Sequence, residues 1–166
     1  MNSTNLITQK NKYDKTGECI QSGLGAEQIF GQIAESKNLE VKNARRRENI
    51  HKHIDKYVTQ ESKTWSVDIK ARKKTSRNDS SAQDEWIWIE FQNVRGNLGW
   101  LYGEADKIAF ETQDSFVIVD RKSLIDYVEN AVDMAKPVRK SYLAKYKTYQ
   151  RAGRNDLLTM VELSKI

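Results

Sequence analysis

The spacing of apolar positions along the chain predicts three helices. Apolar side chains form one stripe at helical spacing over residues 23–38 and again over residues 123–135. Pro137 ends the second segment, because proline cannot continue a helix. A third, basic helix is predicted over residues 138–151. The first 17 residues are polar and lack periodicity, which is typical of a flexible N-terminal arm.

Short apolar runs between these helices predict strands. Polar and apolar side chains alternate over residues 65–71, so that one face is apolar and the other carries Ser66, Asp68 and Lys70. Residues 86–91 are apolar on both faces, as in a central strand. The other predicted strands are residues 54–58, 116–119 and 157–163. This order of elements indicates a single α/β domain over residues 18–166, with a central mixed β-sheet flanked by helices.

The composition is typical of a soluble protein. The 166 residues suffice for about one domain, 38% of them are hydrophobic, and the mean hydropathy is −0.77. No apolar run approaches the roughly 18 residues that cross a bilayer, and the N-terminus lacks the apolar segment of a secretory signal. Cys19 is alone and the only histidines are His51 and His53, so neither an internal disulfide nor a zinc cluster is expected. We therefore expect a cytoplasmic protein with no membrane partner.

Basic residues are clustered, and this changes the expected partner. The net charge is only +5, but residues 70–77 hold five bases and residues 136–154 hold seven, with no acid in either segment. Clusters of this kind are typical of a phosphate-binding surface, although a solvated face is the alternative for any one of them. We expect DNA contacts at Arg72, Lys73, Lys74, Arg77, Arg139, Lys140, Lys145, Lys147 and Arg151.

Two aspartates and a lysine form the most informative constellation. Asp55 and Asp68 are 13 residues apart, which suits two neighbouring strands joined by a short turn, and Lys70 shares a face with Asp68. Two carboxylates hold Mg²⁺ or Mn²⁺, and such an ion with a nearby lysine suits phosphodiester hydrolysis. The alternative is that Asp68 and Lys70 simply belong to the solvated face of a strand, with Asp55 a surface residue.

Three further polar residues are accessory candidates. Glu27 lies on or beside the apolar stripe of the first helix, where an unpaired carboxylate is costly. It would complete the acidic cluster if this helix packs over the sheet, and the alternative is an ion pair with a local base. Glu90 on the next strand, and Gln92 after it, are placed to reach the same site.

The order of these residues resembles the PD-(D/E)xK nuclease superfamily. A helical Glu27, then Asp55, then Asp68-Ile69-Lys70 on the next strand is similar to the pattern of archaeal Holliday-junction resolvases and small phage-encoded nucleases. The resemblance covers roughly residues 23 to 120. It departs at Ile54, where the name-giving proline would be, and at Asp68, which replaces the commoner glutamate.

This resemblance implies a restriction-endonuclease-like core and a Mg²⁺-dependent (or Mn²⁺-dependent) DNA endonuclease that uses direct attack by water. By it, Asp55, Asp68 and the backbone carbonyl of Ile69 are metal ligands, Lys70 is the catalytic lysine and Glu27 is an accessory acid. Resolvases of the superfamily are dimers, which together with tryptophans expected at the surface suggests a homodimer. The expected substrate is branched or otherwise distorted DNA. The rival functions are a non-catalytic nucleic-acid-binding protein on the same fold and a sequence-specific restriction or nicking enzyme.

Other motifs are weaker. The glycines 96, 99 and 103 predict a sharp bend, but no Gly-Lys-Ser/Thr follows, so a phosphate-binding P-loop is not expected. Trp100 and Tyr102 are expected at the rim or in the core. His51 and His53 are expected as an exposed pair in a basic segment, and the alternative is that they contact phosphate or metal.

Overall fold

A computed structural model describes residues 18–166, apart from the side chains of residues 19 and 20, so the predicted N-terminal arm lies outside the described residues. Within that range the chain is α/β, as predicted, with three α-helices and nine strands. In chain order these are α1 Glu18–Ser36, β1 Glu40–Asn43, α2 Arg46–Lys52, β2 Lys56–Gln60, β3 Lys63–Lys70, β4 Trp86–Gln92, β5 Lys107–Glu111, β6 Phe116–Asp120, α3 Arg121–Ala131, β7 Asp133–Val138, β8 Lys147–Tyr149 and β9 Leu157–Glu162.

Two mixed sheets are present where one was expected. The first has the order β1-β2-β3-β5-β6, and only its β3–β5 pair is parallel. The second has the order β4-β9-β8-β7, and only its β7–β8 pair is parallel. The chain therefore leaves the first sheet after β3, contributes β4 to the second sheet and returns as β5.

Helix α1 packs on one face of the first sheet. Its apolar stripe, which includes Phe30 and Ala34, contacts Val67 and Ile69 of β3 in a small hydrophobic cluster. Because side chains alternate along a strand, Asp68 and Lys70 point to the opposite face of β3. On that opposite side, β4, β5 and α3 form the main hydrophobic core, whose buried members include Ile89, Phe91, Ile108, Phe110, Leu124 and Val128.

The helix predicted over residues 138–151 is wrong. This segment completes β7, makes a short 3-10 turn at residues 141–143 and forms β8. The helix before it ends at Ala131, so the end of the segment predicted as helical over residues 123–135 belongs to β7 instead. Backbone bonds to β9 replace helical ones, since the Tyr146 N–H donates to the Met160 carbonyl and the Met160 N–H donates to the Ala144 carbonyl.

A close backbone approach fixes the turn after β4. The Gly99 N–H donates to the Phe91 carbonyl at 2.8 Å, and a Cβ atom on Gly99 would lie 2.2 Å from the Glu90 carbonyl oxygen. Only glycine permits this contact, which brings Trp100 into the core beside β5, with its ring 6.1 Å from that of Phe110. No helix among residues 18–166 is long and apolar enough to cross a membrane.

Candidate active site

Asp55 is fixed to β3 through both its backbone and its side chain. The strand predicted over residues 54–58 begins at Lys56, so β2 offers no backbone acceptor beside the end of β3. Asp55 fills this gap: its N–H donates to the Val67 carbonyl at 2.9 Å, and its Oδ2 accepts from the Ile69 N–H at 2.7 Å. The side-chain amide of Asn49, in α2, donates to Oδ1 of Asp55. The carboxylate is therefore held in one orientation from two sides.

Asp68 is a buried carboxylate whose two oxygens differ in their hydrogen bonding. It is 2% exposed, and its Oδ1 accepts from Nζ of Lys70 at 2.7 Å. Its Oδ2 has no hydrogen-bond partner among the described residues. Nζ of Lys70 also lies 4.7 Å from the centre of the Trp100 ring, so the ammonium group is held between a carboxylate and an aromatic face.

A cavity of about 350 Å³ opens beside this end of β3. Its walls bring together the four side chains predicted as catalytic, because α1 contributes Glu27 and the β2–β3 region contributes Asp55, Asp68 and Lys70. Ile69, predicted to offer its carbonyl, also lines it. The feature on which the sequence interpretation depends, two aspartates and a lysine at one site, is thus present in the fold.

The charges of the site are unevenly compensated. Burial raises the pKa of Asp68 to about 7, against the opposing charge of Lys70 and with a smaller contribution from the nearby Asp55. Burial likewise raises the pKa of Glu27, again with a contribution from Asp55, while Lys56 and Lys70 oppose the shift. The acidic groups therefore favour the arrival of positive charge, either as a proton or as a cation.

The donor set suits a hard divalent cation. Among the described residues, no three His, Cys, Asp or Glu side chains form a complete metal-binding cluster. Mg²⁺, however, is commonly held by one or two carboxylates, and water and substrate phosphate supply its remaining ligands. The unpartnered Oδ2 of Asp68, close to the Asp55 carboxylate and beside an open cavity, fits such a site.

The two other accessory candidates lie apart from this cavity. Glu90 is half-buried and its pKa is raised by burial, with Lys70 opposing, but it does not line the cavity. The side-chain amide of Gln92 donates to the carbonyl of Asn155 in the second sheet. Glu90 is therefore close enough to Lys70 for their charges to interact, but it lies outside the cavity. Gln92 instead binds the backbone at Asn155, in the region of the second sheet.

Most of the bases predicted to contact DNA are exposed, and two are not. Arg72 is half-buried and pairs with Asp84 at 2.5 Å. Arg151 is also half-buried and pairs with Asp156, which is fully buried. The exposed bases are Lys73, Lys74, Arg77, Arg139, Lys140, Lys145 and Lys147.

Three neighbours of the site were not predicted. Asn49 belongs to a seven-residue helix without a buried residue, which carries no apolar stripe to reveal it. Trp100 lies beneath Lys70 in the core. His53 was expected to be exposed together with His51, but only His51 is exposed. His53 is half-buried in the cavity wall, and burial together with the charge of Lys70 lowers its pKa.

The exposed tryptophans that suggested a dimer are also absent. Among the four tryptophans, Trp65, Trp86 and Trp88 are half-buried and Trp100 is buried. The candidate active site therefore consists of Asp55 and Asp68, the lysine fixed beside them and the cavity that they share.

In comparisons with known proteins, no family model, no curated protein and no solved structure matches this chain.

Proposed function

We propose that this protein is a Mg²⁺-dependent (or Mn²⁺-dependent) DNA endonuclease of the PD-(D/E)xK type, acting on branched or distorted DNA in the cytoplasm. The observation that carries the proposal is the unpartnered, buried Oδ2 of Asp68, which lies beside Asp55 and Lys70 at an open cavity. The order of α1, the antiparallel strands β1–β3 and a later strand parallel to β3 supports a restriction-endonuclease-like core.

Asp55 and Asp68 would hold the metal ion, and the resemblance adds the carbonyl of Ile69. The bound ion supplies positive charge that acidifies a water molecule and neutralises charge developing on the phosphate. The chain itself keeps both carboxylates ready for this role, because Ile69 and Asn49 fix Asp55 and burial in β3 fixes Asp68.

Lys70 is placed to act on the substrate. Its Nζ donates to Asp68 and lies over Trp100, so the side chain has little freedom and its charge stays at the cavity wall. From there an ammonium group can donate a hydrogen bond to a scissile phosphate or orient the attacking water. Glu27, with its raised pKa, lines the same cavity and can exchange a proton with that water.

The surroundings suit binding to the DNA backbone. The exposed bases lie in the segment after β3 and around β7–β8, where they would contact phosphates without reading sequence. This favours recognition of DNA shape over recognition of sequence.

The test is Asp68→Asn, assayed with a linear duplex, a four-way junction and a flap at fixed salt in Mg²⁺. We expect cleavage to fall about a thousandfold, because the substitution removes a metal-ligating charge, while binding to DNA persists. Asp114→Asn, in the exposed turn after β5, is the matched control and should cleave normally.

The same panel separates the rival functions. If the wild-type protein binds these DNAs but cleaves none of them in Mg²⁺ or Mn²⁺, the chain is a binding protein rather than an enzyme. If it cuts linear duplex at one sequence only, it is a restriction or nicking enzyme.

A further inference from the structure

Two tryptophans share the face of the second sheet that points away from the core. Trp86 and Trp88 alternate in β4 with core residues such as Ile89, so their rings lie together on the outer face. Both residues are half-buried, and the Trp86 ring packs edge-on against that of Tyr146 at 5.9 Å, so each residue remains partly accessible. The Trp88 ring lies 5.9 Å from that of Tyr149 in β8, tilted by 45°, which extends the aromatic surface across the sheet.

Lysines surround this aromatic face. Nζ of Lys145 lies 4.2 Å from the centre of the Trp86 ring, and the indole N–H of Trp88 donates to the Lys74 carbonyl at 2.9 Å. Lys147 shares the face of β8 with Tyr149, because the residue between them is buried on the other side. Lys74, Lys145 and Lys147 are all exposed, and two acids accompany them on this face, Glu90 in β4 itself and Glu162 opposite Trp86.

A second cavity connects this face with the candidate active site. It measures about 190 Å³ and is lined by Trp86 and Trp88, by the bases Arg72 and Lys73, and by the acids Asp84 and Glu111, both of which contact Arg72. It shares Gly23, Ile69 and Lys70 with the cavity that holds the two aspartates. An aromatic path therefore runs from the outer face of the second sheet to Lys70, and the exposed Lys73 lies along it.

We propose that this face binds an unpaired DNA strand and leads it along the second cavity toward the candidate active site. Bases stack on accessible tryptophan rings in a sequence-tolerant way, and lysines beside the rings neutralise the backbone. Paired bases are stacked inside a duplex and cannot reach the rings, so the face selects a single strand. The inference rests on the proposed function and narrows its substrate to branched DNA with an unpaired arm, such as a flap, in preference to a fully paired junction.

The experiment measures binding in EDTA, where cleavage cannot interfere. A fluorescein-labelled oligo-dT of 20 nucleotides and a duplex of equal length are titrated with the wild type, Trp86→Leu and Trp88→Leu. We expect each variant to bind oligo-dT about tenfold more weakly, which is within the range for losing one base–aromatic stack, and to bind duplex within twofold of the wild type.

Trp65→Leu is the matched control. Trp65 is also a half-buried strand tryptophan with a lysine near its ring, since Nζ of Lys63 is 5.2 Å from its centre, but it lies in the first sheet and lines neither cavity. Its substitution should leave oligo-dT binding unchanged. Because replacing a half-buried tryptophan can impair folding, Lys145→Glu on the surface provides a second variant, and it should weaken oligo-dT binding at least tenfold while Lys63→Glu does not.

The outcomes separate the inference from the proposed function. Equal binding of oligo-dT by the wild type, both tryptophan variants and Lys145→Glu would overturn the single-strand face, even if the protein cleaves DNA. Tryptophan-dependent oligo-dT binding without any cleavage would support the face as a binding site and refute the nuclease. A tenfold preference for oligo-rU over oligo-dT would also overturn the assignment to DNA.

Discussion

Two aspartates are deeply buried, one in β3 of the first sheet and one in the loop just before β9 of the second, and they differ in their surroundings. Asp68 and Asp156 both contact a single cationic side chain, and each leaves one oxygen without a hydrogen-bond partner among the described residues. Asp156 pairs with Arg151 and lines neither of the two cavities. Asp68 has Asp55 as a second acid nearby and faces open space. Burial of a carboxylate is thus shared by both sites, whereas a second acid and an open cavity distinguish the candidate active site.

The largest expected effect beyond catalysis is on the pH dependence of stability. Asp68 keeps its proton up to about pH 7 in the folded protein but releases it near pH 3.8 when unfolded. Without metal, the stability that this group contributes is therefore full below about pH 4 and is lost as pH rises to about 7, up to a total on the order of 4 kcal/mol. Urea unfolding in EDTA at pH 5 and pH 8, followed by tryptophan fluorescence, should show this loss.

Other titratable groups at the site also affect the pH dependence of stability, so the contribution of Asp68 is isolated by comparing variants. As pH rises, Glu27, whose pKa is raised, also reduces the free energy of unfolding. His53, whose pKa is lowered, increases it over the same change in pH. Asp68→Asn should remove most of the loss, Asp156→Asn should retain it, and Mg²⁺ should stabilise the wild type more at pH 8 than at pH 5. An unchanged pH profile in Asp68→Asn would contradict the comparison.

The next largest expected effect is on the free energy of unfolding, and it distinguishes Asp156, which we expect to be structural, from Asp68 of the candidate active site. Asp156→Asn leaves the Arg151 guanidinium without its counter-charge, so we expect a loss of about 3 kcal/mol in the free energy of unfolding. Asp68→Asn, measured at pH 8 in EDTA, should destabilise the protein less, because it relieves the repulsion between two neighbouring carboxylates although it leaves the partly exposed Lys70 without this partner. Urea denaturation midpoints, compared between variants with equal m-values, would measure both changes in the free energy of unfolding. A larger loss in Asp68→Asn than in Asp156→Asn would refute the distinction.

The smallest expected effect concerns the support of Asp55. Asn49→Ala removes the amide that holds Oδ1 of this carboxylate, and supporting hydrogen bonds of this kind are worth about tenfold in metal affinity or activity. The Mg²⁺ concentration for half-maximal cleavage should therefore rise about tenfold, and excess Mg²⁺ should restore the rate. Asn130→Ala in α3, which removes a side-chain bond to the Asp126 carbonyl, is the matched control and should leave the metal dependence unchanged.

Three of the five strands of the first sheet, β2, β3 and β6, were predicted because their signals are local, whereas β1 and β5 were not predicted. Strict alternation over residues 65–71 placed β3 within two residues of its bounds, and the short turn before it made Asp55 and Asp68 neighbours. Asn49 and Trp100 were not predictable from that hairpin, because they reach it from a short helix and from a turn between β4 and β5. The candidate acids thus followed from sequence, whereas the groups that hold them depend on tertiary contacts.

The second sheet was predicted only in part: β4 and β9 were predicted as strands, but β4 lies at the edge rather than at the centre, and β7 and β8 were missed because their pairing is not local. Bases and tyrosines over residues 138–151 suit a helix, yet Tyr146 adopts φ 53°, which a regular helix excludes, and its neighbours pair with β9 instead. Pro137 was interpreted as the end of a helix. It lies in β7, an edge strand, where a residue that donates no backbone hydrogen bond is tolerated.

The course of β4 bears on how this chain can be divided or recombined. The strand is inserted between β3 and β5 in sequence but pairs only with β9, which lies more than 60 residues further along. A cut anywhere between them would leave β4 without its strand partner and the Trp86–Trp88 pair without a scaffold. The candidate active site and the Trp86–Trp88 pair therefore belong to one folding unit. Transferring either of them to another protein requires transferring both.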